Sequence, residues 1–122
     1  MRARLKSLRG KDVPDLSRWA PPAPDDFGLT LVLEVGPLGL RGREEFELMV
    51  ASPRWLRARH GRTGLVPGRG MLLAFEWDYP RLREFLARRV EACTGRNWPE
   101  VARKVGRLAL WEGEDAEVVA LR

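Results

Sequence analysis

The sharpest pattern in the chain is strict alternation of apolar and other side chains between residues 28 and 51. Leu29, Leu31, Leu33 and Val35 fall on one side of an extended segment over 28–35. Phe46, Leu48 and Val50 do the same over 43–51, with Glu45, Glu47 and Met49 on the other side. Period-two alternation is the mark of a strand with one buried face. The run Gly36-Pro37-Leu38-Gly39-Leu40-Arg41-Gly42 lies between them and reads as a hairpin loop, which pairs the two strands antiparallel. A third alternating segment covers 2–8, with Ala3, Leu5 and Ser7 on one face. A fourth covers 71–77, with Met71, Leu73, Phe75 and Trp77 sharing a side.

Elsewhere the period changes to that of a helix. Ser52-Pro53 starts a short one that runs through Arg59: a Ser side chain can accept a first-turn N–H, and Pro suits the first helical position. Asp78 caps a helix from about Tyr79 to Thr94, whose apolar stripe is Leu82, Leu86, Val90 and Cys93, with Phe85 beside it. Asn97, with Glu100 three residues on, opens another helix with Trp98, Val101, Val105 and Leu108 on its buried side. Residues 9–26 hold Pro14 and the cluster Pro21-Pro22-Ala23-Pro24 and form a connector, with room for one helical turn from Asp15 to Trp19. The tail closes on Val118-Val119-Ala120-Leu121, which fits strand and helix equally. Strands come first and helices cluster late. The predicted fold class is therefore α+β: an antiparallel sheet of about four or more strands, with two C-terminal helices packed on one face.

Composition bounds the size and setting. A chain of 122 residues, 44% hydrophobic and 32% charged, reads as a single domain over 1–122 able to bury a core without a metal or disulfide staple. The single cysteine, Cys93, and single histidine, His60, leave no Cys-rich zinc site or multi-histidine metal site, so no metal and no cofactor is expected. The longest uncharged stretch, Phe27 to Leu33, is far short of the ~18 apolar residues of a membrane span. The basic N-terminus has no apolar segment behind it, so a cytoplasmic, signal-free protein is expected.

The net charge of +5 raises nucleic acid as a partner, but the charge is blocked rather than uniform. Segments 25–50 and 111–122 are acidic, and the rest is basic. All but Lys6, Lys11 and Lys104 of the 22 basic residues are Arg. The best basic patch is Arg54, Arg57, Arg59 and Arg62, an anion or nucleic-acid grip in the alternative reading. Catalytic chemistry finds no constellation. Cys93 lies on an apolar helix face, where a thiol is inert. Ser52 is better explained as a helix cap. The carboxylate pairs Asp25-Asp26, Glu44-Glu45 and Glu114-Asp115 sit where solvated side chains are the rule. Trp55, Trp77, Trp98 and Trp111 each adjoin an apolar stripe and read as structural aromatics, whereas Trp19 sits in the Pro-rich connector.

Several short motifs, in order, resemble the immunity protein 8 family of bacterial polymorphic toxin systems. They are Leu5-Lys6-Ser7-Leu8 and Pro24-Asp25-Asp26-Phe27 leading to Val35-Gly36-Pro37. Phe46 to Val50 follows, then Ser52-Pro53-Arg54-Trp55-Leu56, Trp98-Pro99-Glu100-Val101-Ala102 and Trp111-Glu112-Gly113-Glu114-Asp115-Ala116. Gly113 and Ala116 stand where the family pattern has aromatics, Ser52 replaces a Thr, and Ala51 replaces a Cys. The resemblance implies a non-enzymatic protein that binds and blocks a cognate toxin domain, encoded by an adjacent gene, inside the producing cell. Many such toxins are nucleases with basic active sites, so an acidic contact face is implied. Glu112, Glu114, Asp115 and Glu117 are the first candidates, with Asp25 and Asp26 as the second.

Overall fold

The computed structural model describes residues 1–111. Five strands and three helices follow one another as β1 (Ala3–Gly10), β2 (Gly28–Pro37), β3 (Glu44–Ala51), α1 (Pro53–His60), β4 (Met71–Leu73), α2 (Tyr79–Glu91), α3 (Trp98–Val105) and β5 (Leu110–Trp111). The sheet order is β1-β2-β3-β4, with β5 also pairing with β3. The alternation of β2 and β3 is realised in their antiparallel register, which sets Leu33 opposite Phe46 and Leu31 opposite Leu48. These side chains, with Val35 and Val50, are fully buried. Leu82, Leu86 and Val90 of α2 and Val101, Ala102 and Val105 of α3 cover the same face. The predicted α+β class holds, with two C-terminal helices against a sheet.

The sheet is mixed rather than wholly antiparallel. β4 runs parallel to β3, with Met49 opposite Met71 and Ala51 opposite Leu73. The reason is length. A tight hairpin reverses a chain, but the 52–70 excursion through α1 carries it back to Met49, so β4 enters in the same direction beside the last three residues of β3.

β1 departs from simple alternation. Leu5 pairs with Val35 but Ser7 pairs with Glu34, so Lys6 is an extra, unpaired residue. This β-bulge flips the pattern downstream. Ser7 lands on the polar face beside Glu34, and Leu8 turns to pack against the core, which corrects the assignment of Ser7 to the Ala3 and Leu5 face. The Lys6 ammonium donates to the carbonyls of Leu40 and Gly42 and so ties down the β2–β3 loop. β2 extends through Gly36 and Pro37, which the loop reading had excluded. Gly36 is required there: a Cβ would stand 2.0 Å from the Gly42 carbonyl oxygen.

The polar face of the sheet is an ion-pair network. Arg9 bridges Glu34 at 2.7 Å and Glu45 at 3.0 Å, two carboxylates that the β2–β3 register places directly opposite one another. Arg43 holds the other oxygen of Glu34 at 2.9 Å, and Lys11 lies 3.3 Å from Glu47. The Arg43 hydrogen bond, reinforced by the charges of Arg43 and Arg9 and by Ser7, holds the Glu34 carboxyl below its ordinary range against the opposing effect of partial burial. A depressed carboxylate contributes stability above its unfolded value, about 4.3, and loses it as pH falls through the folded value. Glu34→Gln is therefore expected to lower stability at neutral pH and to flatten the loss that sets in as pH falls below about 5. Urea unfolding at several pH values checks this; an unchanged acid limb would contradict it.

Glu44 is not a solvated member of a carboxylate pair. It accepts from the indole N–H of Trp98 at 3.0 Å and from that of Trp111. One carboxylate thus fastens α3 and β5 to the start of β3. The Trp111 ring stacks on Phe46, 6.3 Å between centroids. The connector contributes to the core as well: Leu16 is buried, and Trp19 meets Trp77 edge-on at 4.8 Å. Asp15 to Trp19 forms the single turn expected, with the Arg18 and Trp19 amides donating to the Asp15 and Leu16 carbonyls and the Asp15 carboxylate accepting from the Ser17 amide and hydroxyl.

Candidate functional site

The end of β3 decides what the β4 edge looks like. Ser52 is completely buried, and its hydroxyl does three things. It accepts from the Trp55 amide as the α1 cap, accepts from the Phe27 amide at 3.1 Å, and donates to the Phe27 carbonyl at 3.3 Å. With Pro53 next in line, β3 cannot continue, so β4 has no partner beyond Leu73. Its last ladder bond runs from the Ala74 amide to the Ala51 carbonyl at 3.0 Å. The chain then bends through Phe75 and Glu76.

That bend overturns the expected shared face of Met71, Leu73, Phe75 and Trp77. Leu72, Ala74 and Trp77 pack against the core, and Trp77 lies edge-on to Phe27 at 5.4 Å. Leu73 is 55% exposed and Phe75 is 79% exposed. On α2, Phe85 is 44% exposed on the side facing them, with the Arg89 guanidinium 5.9 Å from its ring. Leu72, Leu73, Phe75, Arg81, Leu82 and Phe85 line an apolar groove of about 540 Å³. Glu76 and Asp78 stand at its rim, and Asp78 is engaged as the α2 cap, accepting from the Arg81 amide.

Among the described residues, the groove runs beside an open strand edge. The Met49 amide donates to the Gly70 carbonyl, and Ala74 donates to Ala51, so residues 70 and 74 face β3. By alternation Met71 and Leu73 turn their amide groups outward, and β4 ends the sheet order on that side. Large exposed aromatics, an apolar recess and edge amides that no described residue pairs suit the capture of another polypeptide.

The residues singled out from the sequence fall elsewhere. Glu112, Glu114, Asp115 and Glu117 lie outside the described residues. Asp25 and Asp26 are met by Arg54, at 3.0 and 4.0 Å. The second acidic candidate and the first member of the basic patch thus engage each other, two carboxylates against one guanidinium. Arg57, Arg59, His60 and Arg62 are exposed, and the Arg59 guanidinium lies 5.0 Å over the Trp55 ring. Of the structural aromatics, Trp77, Trp98 and Trp111 pack against the core, while Trp55 sits apart against Gly28, where a Cβ would come within 2.4 Å of the ring. Cys93 is half-buried, and burial pushes its thiol up. Phe75 and Leu73 were missed as surface residues. The signal that could have found them was the Ser52-Pro53 cap itself, which limits how long any strand beside β3 can run.

Among the described residues no helix is long and apolar enough to cross a membrane. The sequence model of the family described as Immunity protein 8 matches residues 3–116. No curated protein and no solved structure matches.

Proposed function

The chain belongs to the immunity protein 8 family, and from that membership we propose that it binds a cognate polymorphic toxin domain and blocks it stoichiometrically, without catalysis. The toxin is encoded by an adjacent gene, and neutralisation takes place in the cytoplasm of the producing bacterial cell. The whole chain acts as one immunity domain. The observation that supports a binding role at a particular place is the groove beside the open β4 edge, with Phe75 standing out of it. Interface hot spots are buried aromatics that enter or receive a partner's side chain, ringed by polar groups, and Phe75 rimmed by Glu76 and Arg81 has that make-up. The acidic run Glu112, Glu114, Asp115 and Glu117 is kept as a further contact in this reading, from the family resemblance of its sequence.

Titrating the purified chain into the C-terminal domain of the adjacent gene's product tests this by calorimetry. The expected result is a saturable complex of fixed stoichiometry, with the toxin's activity falling in proportion to occupancy. Inhibition that continues to grow after the toxin is saturated, or that needs only catalytic amounts of the chain, would overturn the non-enzymatic reading.

A further inference from the structure

Residues 53–69 form an arm with no buried side chain. Both of its ends are fixed. Ser52 is locked to Phe27 at the start, and Gly70 is bonded to Met49 at the finish. Between them the arm is folded, not trailing. It holds α1, a turn in which the Thr63 hydroxyl donates to the His60 carbonyl at 2.9 Å, and a left-handed Gly64 at φ +71°. Its composition is one-sided. No Asp or Glu occurs between Glu47 and Glu76, while Arg54, Arg57, Arg59 and Arg62 fall in α1 and the turn after it. Arg54 is more than offset by Asp25 and Asp26, and the polar face of the sheet is balanced internally by Arg9, Arg43 and Lys11 against Glu34, Glu45 and Glu47. Beyond Arg54, the arm carries the positive charges of Arg57, Arg59 and Arg62 with no acidic residue in its own sequence. Leu65, 84% exposed, stands just beyond them.

We propose that this arm is an electrostatic docking surface for an acidic face of the toxin, with Arg57, Arg59 and Arg62 meeting its carboxylates and Leu65 entering an apolar recess among them. The inference rests on the toxin-binding reading and gives a sign to the part of the toxin surface that meets the arm. It also gives the interface a second part, since the arm leads straight into β4 and the groove. Charge complementarity is what identifies the occupant: the Arg57, Arg59 and Arg62 surface is best matched by an anionic one. A protein fits better than a nucleic acid for two reasons. The indole on the arm, Trp55, is already engaged by the Gly28 backbone, the Arg59 guanidinium and the edge of the His60 ring, so it offers no open face for a base to stack on. A large aliphatic side chain beside the cations finds a partner on a protein surface and none along a phosphate backbone.

The test compares three full-length chains binding an immobilised, inactivated toxin domain by surface plasmon resonance at low and high salt. The chains are the unaltered protein, R57E/R62E and L65A; all three sites are exposed, and unchanged thermal unfolding shows that the variants fold. The expected result for R57E/R62E is an association rate lowered about tenfold at low salt, with the salt dependence of the unaltered chain largely gone. L65A is expected to speed dissociation instead. Binding by the unaltered chain that is indifferent to R57E/R62E would overturn this inference alone. No binding by the unaltered chain would overturn the toxin reading and this inference together. Salt-sensitive binding of a 20-base-pair DNA duplex or a single-stranded RNA, abolished by R57E/R62E while toxin binding persists, would reassign the arm to nucleic acid.

Discussion

Phe75→Asp is expected to leave the protein folded and to weaken toxin binding by at least ~30-fold, the loss of a hot-spot aromatic worth about 2 kcal/mol or more. The two halves of this expectation have separate causes. With 79% of its surface already in water, Phe75 contributes little to the core, and exposed substitutions ordinarily shift stability by less than about 0.5 kcal/mol. In the complex the same ring would be desolvated against a partner, and a carboxylate in its place would carry its own desolvation cost into an apolar groove. Leu73→Ser and Phe85→Ala, on the same groove, are milder versions of the change. A calorimetric titration paired with a thermal melt reads both halves. A variant with a lowered melting temperature and normal affinity would mean that Phe75 packs the fold and not a partner.

Ser52→Ala is expected to destabilise the protein by about 2–4 kcal/mol, as measured by urea unfolding. A lost N-cap costs about 1 kcal/mol. A buried N–H left without an acceptor adds about 1–3 kcal/mol, and the Phe27 amide is left in that position, since the Ser52 hydroxyl is its acceptor. The methyl side chain fits the site but supplies none of the three bonds. A loss below about 1 kcal/mol would show that only the cap matters and that Phe27 finds another acceptor. The substitution also loosens the seat of the cationic arm, so its binding defect should exceed that of an equally destabilising change in α3.

What the sequence made legible was what neighbouring residues decide among themselves. Leu31, Leu33 and Val35 against Phe46, Leu48 and Val50 announce a two-stranded pairing, because alternation and a Gly/Pro loop are local signals. Ser52, Asp78 and Asn97 cap their helices as their side-chain chemistry requires. What stayed hidden depended on partners far along the chain. The bulge at Lys6 exists only in the register with β2. The parallel β4 depends on the path of a 19-residue excursion, and the exposure of Phe75 depends on where β3 stops. Glu44 looked like half of a solvated pair because nothing near it in sequence reveals Trp98 and Trp111. The acidic residues chosen as contacts illustrate the same limit: Asp25 and Asp26 meet Arg54 only after the connector folds across the end of the sheet. The candidate groove was thus invisible as a site, although its residues had all been assigned to elements.

Bacterial survival tests the central claim most directly. The C-terminal domain of the adjacent gene's product is expressed alone, with the unaltered chain, and with Phe75→Asp, and survivors are counted. The account predicts killing by the domain alone, restored growth with the unaltered chain, and killing again with the equally abundant, folded variant. A lethal domain against which the unaltered chain gives no protection would contradict it.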